Sequence, residues 1–367
     1  MTLRPALWTL PITLTASLLL AAPPAGVEEA KPAEQAQQAD ADEPWIRLTE
    51  SDDRVMSLDI ASKEFRKIDG DGPTITLYGA VHIAEPRFYA TLQKELDGYD
   101  LVLFEGVNGG EPIDEHAHKD AYRAPIVSSL VARPDPKADK KESDGLQAKM
   151  ARSLGLTFQL DQMDHTRSNW RNSDMSIQEI EAAVEAKGGD ASQLLGMLDG
   201  SSFMGAMASM MFTMIEAIPG GAERGRLVIM HMLPEADDVM SGALPGGEAL
   251  MQVIIEDRNQ RVIDDLTEAL KDESNKRIAV IYGAGHMGDM TERMETQLGY
   301  VPGKTTWHPA MSLDLARAGI SKSEQMMTRI MIKRQLYQMK KMAERSGEAD
   351  GSTPPEQGDS SPQPETR

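Results

Sequence analysis

Three short stretches of the chain are largely apolar, the first alternating before it becomes continuous and the other two apolar on successive positions. They are "PTITLYGA" at 73–80, "DLVLFEG" at 100–106 and "KRIAVIYGAG" at 276–285. Runs of this length and β-branched content predict strands buried on both faces, as in a parallel sheet covered by helices. Each of two such runs leads into an amphipathic segment. "EPRFYATLQKELDGY" at 85–99 reads as a helix with Pro86 in its first turn and Gly98 near its end. "MGDMTERMETQLGY" at 287–300 repeats the pattern, and "KTTWHP" at 304–309 reads as the strand that follows. The first unit therefore predicts two parallel strands that are direct neighbours, joined by a right-handed crossover helix.

Other periodic segments fill the space between. "SIQEIEAAVEAKGG" at 176–189 predicts a helix capped by Ser176 and stopped at Gly188. "GGEALMQVIIEDRNQRVIDDLTEALKDES" at 246–274 predicts a long amphipathic helix, and "SKSEQMMTRIMIKRQLYQMKKMAER" at 321–345 predicts a terminal one packed on the sheet, with contact to a membrane surface or a partner as the alternative for its basic residues. "LTFQLDQMDHTRSNWRNSDM" at 156–175 reads as a short strand and a polar loop. "SFMGAMASMMFTMIEAI" at 202–218 is apolar nearly all round and rich in Met, which suits adaptable core. The class is α/β: a central sheet built from two strand–GxxH–helix–strand pseudo-repeats, flanked by helices.

The two ends carry different material. Residues 1–23 hold Arg4, an apolar run from Ala6 to Ala22 and small residues after it, the pattern of a signal peptide; a retained N-terminal anchor is the alternative. Residues 24–44 and 346–367 lack large apolar residues and read as a disordered linker and an acidic, Pro-rich tail, bounding a domain at 45–345. The implied destination is export, to a periplasm or the outside, either free or attached to an envelope, with no membrane span in the mature chain. A net charge of −20 argues against a nucleic-acid partner. The absence of Cys rules out disulfides, thiolate chemistry and iron–sulfur clusters.

Chemistry concentrates at the ends of the buried strands. His82 follows the first, Glu105 ends the second, and His286 follows the third in the same Gly-x-x-His setting, after Gly79 and Gly283 respectively. Loops at the carboxyl edge of an open α/β sheet share one crevice. Two imidazoles and a carboxylate there would suit a divalent metal ion, or acid–base chemistry without metal. Arg258 falls on the apolar face of the long helix, in the row Ile254–Arg258–Val262–Leu266, with Asn259 at its edge. A guanidinium in that position needs a carboxylate, a substrate carbonyl or an oxyanion. His308 lies near the position that Glu105 occupies in the first unit and is a candidate fourth member of the crevice. His116 and His118 read as loop residues, and His165 and His231 as structural or loop ones.

These residues together resemble the TraB/GumN family, which includes the Tiki proteins. The resemblance rests on "YGAVHIAEPRFYATLQKELDGYDLVLFEGV" at 78–107, "FQLDQMDHTRSNWRNSDMS" at 158–176, "EDRNQRVIDDL" at 256–266 and "IAVIYGAGHMGDMTERMETQLGY" at 278–300. It implies a mixed central sheet made of two related halves, in a group that also holds erythromycin-esterase-like and ChaN-like proteins. It further implies a metal-dependent peptidase using manganese or cobalt, with a peptide or protein as substrate. His82, His286 and Glu105 would be its metal set, Glu105, Arg258 and Asn259 its catalytic set, and Gly79 and Gly283 its glycines. The non-catalytic alternative is a metal-, haem- or peptide-binding envelope protein of the same fold. Family members often carry an Arg shortly after the strand-end Glu; "EGVNGGEP" has none, and Arg123 is the candidate replacement.

Overall fold

The computed structural model describes residues 43–107, 146–189, 219–235 and 251–350. The N-terminal segment 1–23, the apolar stretch 202–218, and Arg123, His116 and His118 lie outside them.

A hairpin that the patterning did not reveal begins the fold, β1 (Ile46–Glu50) and β2 (Val55–Lys67), paired antiparallel. Then come β3 (Thr74–Ala80), the two-residue β4 (Ile83–Ala84), helix α1 (Pro86–Leu96) and β5 (Leu101–Phe104). Helix α2 (Leu146–Ser153), β6 (Thr157–Phe158), the single turn α3 (Gln159–Gln162), β7 (Trp170–Asn172) and helix α4 (Ile177–Ala186) form the middle. Helix α5 (Gly221–Met232) was not foreseen either. A π-turn at Gln252–Asp257 leads into α6 (Arg258–Ala269), followed by β8 (Arg277–Gly283), α7 (Met287–Leu298), β9 (Tyr300–Asp314) and α8 (Lys322–Asp350). The backbone of α8 is thus helical past residue 345, into the segment expected to be disordered tail.

The class is α/β, with a mixed seven-stranded sheet flanked by helices. β9 runs antiparallel along the whole of β2, while β1 and β3 share the other edge of that strand. Next come β8, β5 and β7, each parallel to its neighbour, with β3 parallel to β8. The expected adjacency of β3 and β5 is therefore corrected. They are parallel, but β8 lies between them. Five consecutive residues of β8, Ile278 to Tyr282, are buried, and the centre of a two-face-covered sheet is where such a strand loses most apolar surface to water. The two Gly-x-x-His units also end differently. The strand after α1 stays parallel to β8, whereas the strand after α7 turns back antiparallel onto β2.

Side chains alternate across this sheet. Ile75, Leu77, Ile278, Val280 and Tyr282 meet α6 and α7 on one face, among Val262, Leu266, Met290 and Met294. Tyr78, Ala80, Ala279 and Ile281 meet α1 on the other, among Phe88, Tyr89, Leu92 and Leu96. Helix α4 begins as its sequence dictates: Ser176 Oγ accepts from the Glu179 amide, and the Glu179 carboxylate accepts from the Ser176 amide. Gly188, at φ +78°, ends it.

Gly79 serves packing rather than a turn or a ligand. An added Cβ would stand 2.9 Å from Ile60 Cγ2 and 3.1 Å from the Ala61 carbonyl oxygen of β2. The missing side chain lets β2 cross close to β3 at the point where the long strand passes from β1 to β3. We predict that Gly79→Ala lowers the unfolding free energy by about 1–3 kcal/mol, the cost of overpacking. Urea denaturation measures it, and an unchanged midpoint would mean that β2 is not pinned there.

Candidate functional site

The carboxyl edges of β5, β7 and β8 lie side by side, because these strands are parallel neighbours. Glu105 leaves the end of β5, Asp174 follows β7, and His286 sits in the turn after β8. Arg258, at the start of α6, reaches over from the covering helix layer.

Arg258 is 3% exposed and organises the group. Its Nε and NH2 donate to the two oxygens of Asp174, each at 2.8 Å, and NH2 also donates to Glu105 Oε1 at 2.8 Å. The two carboxylates supply the charge that a buried guanidinium requires. Asp174 is fully engaged: it also accepts from the Gly106 amide at 2.9 Å and the Met175 amide at 2.8 Å. Glu105 Oε2 accepts from the Gly283 amide at 2.7 Å. A Cβ at residue 283 would come within 3.3 Å of that oxygen, so here the glycine does permit close approach to a polar group.

His286 is held from behind. Asn259 Nδ2 donates to the His286 carbonyl oxygen at 2.9 Å and to Asp289 at 2.8 Å, so Asn259 Oδ1 must accept. The His286 Nδ1–H donates to it at 2.9 Å. This leaves the lone pair of the imidazole on Nε2, which lies 3.4 Å from Arg258 NH1 and 3.8 Å from Glu105 Oε1. The ring of Tyr282 meets that of His286 edge-on at 5.1 Å, and its hydroxyl donates to the Ser173 carbonyl. Burial and the neighbouring guanidinium push His286 down to about 4, so it is neutral at pH 7. Burial alone would raise Glu105, but Arg258, with His286 and His82, outweighs it and holds the carboxyl at about 2. His82 lies near enough to act electrostatically on both Glu105 and His286. His82 itself is half-buried, whereas His286 is enclosed.

The structure thus brings together His82, Glu105, Arg258, Asn259, Gly283 and His286. It does not bring His308 to them. That ring lies on β9, bonded to Ser62 Oγ at 2.9 Å and packed against Tyr78, on the α1 face of the sheet. The shared position in the two units fails because the strand after α7 pairs with β2 instead of β8. Arg123 lies outside the described residues. His165 is structural, as expected, buried against Phe104 and Trp170. Asp174 was missed. The signal lay in "WRNSDMS", a polar loop after a short strand, but the sequence did not say that this strand would join β5.

Two members of the expected metal set, Nε2 of His286 and Oε1 of Glu105, are close enough to share an ion. Among the described residues no third His, Asp or Glu completes a ligating cluster with them. A guanidinium nitrogen also faces the same Nε2. A divalent ion held on this Nε2 would have to displace that guanidinium nitrogen. A cavity of about 630 Å³ lies elsewhere, between β1, α5 and α8, and none of the site residues lines it.

Comparison of the chain with family models, curated proteins and solved structures finds no match.

Two outcomes follow. Asp174→Ala should cost about 3–5 kcal/mol of stability, because it strips one counter-charge from a buried guanidinium; a loss under 1 kcal/mol in urea titration would show the pair to be dispensable. Stability should also fall with acid. His286 takes a proton near 6.5 when unfolded and near 4 when folded, so stability declines as pH drops through that window. Glu105 adds a further loss between about 4.5 and about 2, where the unfolded chain protonates first. The urea midpoint should drop from pH 7 to pH 4, and drop less in His286→Gln; equal drops would remove His286 as a cause.

Proposed function

We propose that this chain is an exported hydrolase of the TraB/GumN type that cleaves a peptide-like acyl bond. The observation that carries this reading is a neutral imidazole whose Nε2 lone pair faces a guanidinium N–H at 3.4 Å and lies 3.8 Å from an ionised carboxylate, at the carboxyl edge of a parallel sheet.

In this reading water enters beside His82 and is held against Glu105. His286 Nε2 takes its proton as general base, and Asn259, steadied by Asp289, keeps the ring in the tautomer that can do so. The Glu105 carboxylate stabilises the imidazolium that forms. Arg258 NH1, the guanidinium nitrogen not bonded to Asp174 or Glu105, faces the carbonyl oxygen as negative charge develops on it. The hydroxide so formed adds to the carbonyl carbon, and as the C–N bond breaks the His286 imidazolium gives its proton to the leaving amine, with His82 standing on the solvent side.

A second reading has one observation in its favour. The 3.8 Å separation of Nε2 and Oε1, with Asn259 fixing the imidazole from behind, also matches how metal-ligating His residues are oriented. Manganese or cobalt held by His82, His286 and Glu105 would then require His82 to move inward and Arg258 NH1 to move away.

A quenched fluorogenic peptide library, assayed with and without EDTA, separates the readings. We expect turnover that survives EDTA and falls by about 10²–10⁴ in His286→Gln and in Glu105→Gln. Turnover unchanged in His286→Gln would sink the hydrolase assignment at this site. Activity lost in EDTA and restored by manganese or cobalt would transfer it to the metal-dependent form. Tight metal or haem binding with no cleavage would identify a binding protein instead.

A further inference from the structure

Helix α8 was expected to lie on the sheet. It is instead held along one side by α5 and the edge of β1. Glu324, Gln325, Thr328, Ile332 and Leu336 are half-buried there, one helical turn apart. Glu324 pairs with Arg224 at 2.7 Å, Gln325 donates to Glu50 at 2.7 Å, and Lys333 pairs with Glu235 at 3.2 Å. Met326, at the rim of the cavity between β1, α5 and α8, and Met327, Ile330, Met331 and Tyr337, which do not line it, are each between 59 and 67% exposed. Side chains at 326 and 330, and at 327 and 331, are i, i+4 neighbours, so the first four make one contiguous apolar patch.

The charge around that patch is opposite to the charge of the protein. The chain carries a net −20, yet from Lys322 to Lys341 the helix holds Lys322, Arg329, Lys333, Arg334, Lys340 and Lys341 against one acid, Glu324. All six basic residues are exposed; Lys333 is paired with Glu235, and Arg334, Lys340 and Lys341 form a collar around Tyr337 just beyond the apolar patch. Long basic stems can lie along apolar material while their charged ends reach phosphate, and Tyr suits the headgroup layer. A second copy of α8 in the same position would bring two basic collars together. No helix among the described residues is long and apolar enough to cross a membrane, so contact would be with a surface.

We propose that the exposed side of α8 docks in plane on a lipid surface rich in acidic phospholipid headgroups, with Met326, Met327, Ile330 and Met331 entering the interface and the basic collar holding the phosphates. The proposal is independent of the reaction at His286.

The absence of Cys allows a direct test on the full chain. Ile330→Cys carries an environment-sensitive NBD label, and Ala90→Cys, on the exposed side of α1, carries the control. With vesicles of phosphatidylcholine and phosphatidylglycerol the label at 330 should shift to the blue and brighten, while the label at 90 should not. Vesicles of phosphatidylcholine alone should need at least about tenfold more lipid for the same change. High salt, or Arg334→Glu, Lys340→Glu and Lys341→Glu together, should abolish it, with the melting curve of that variant checked for intact folding. Because the label reports α8 itself, binding through the N-terminal apolar run does not imitate the result. A silent label at 330, or equal response to neutral vesicles, overturns the proposal. A shift that grows with protein concentration in the absence of lipid overturns it in favour of a second copy. A shift seen only with an acidic protein overturns it in favour of that partner.

Discussion

The architecture of the site depends on one buried cation. A guanidinium removed from water without counter-charge would cost several kcal/mol, so Arg258 can occupy the covering helix layer only where the sheet supplies acids. Asp174 meets that need with a two-pronged bond, and Glu105 gives one oxygen more. Three segments far apart in the chain, the ends of β5 and β7 and the start of α6, are thereby tied at one point. The bond to Glu105 also decides the protonation of the neighbourhood. The same positive charge keeps the carboxyl ionised and helps keep His286 neutral.

Strand order then completes the site. With β8 between β3 and β5, the Gly283 amide and the His286 ring stand beside Glu105, and His82 stands on the flank of β8 away from β5. Had β3 and β5 been neighbours, His82 would have been the closer imidazole. The result is one enclosed His, locked by Asn259, and one half-buried His nearer to solvent. That asymmetry suits unequal roles for the two imidazoles better than equivalent ligation of an ion.

Helix α8 obeys a different constraint from the site. Around Arg258 the carboxylates of Asp174 and Glu105 are matched by the guanidinium and by backbone amides, so the polar interior is held in place. Along the outer side of α8 large apolar groups of the described residues stand exposed. The first arrangement favours fixed geometry, the second favours association.

Much of this was written locally. Apolar runs announced β3, β5 and β8; Ser176 and Glu179 announced the start of α4; the i, i+4 row announced that Arg258 would point inward and meet an acid. These features need only neighbours within a few residues. The π-turn at Gln252–Asp257 was not legible, because one extra residue in a turn leaves no compositional mark; it puts Val253 rather than Ile254 in the core while keeping Arg258 inside. The hairpin of β1 and β2 was not legible because buried Asp59, Ser62 and Lys63 break the apolar pattern of β2, and α5 because its glycines weaken the helical signal.

Sequence by itself determined the α/β class, the Gly-x-x-His turns at strand ends and the need of Arg258 for counter-charge, since all three follow from periodicity and local desolvation. Tertiary structure alone decided that β8 separates β3 from β5, that Asp174 is the principal partner of Arg258, and that His308 belongs to the opposite face. Each of those depends on which strands lie side by side, and pairing between distant segments is settled by the total surface the whole sheet can bury, a quantity that no short window of residues contains.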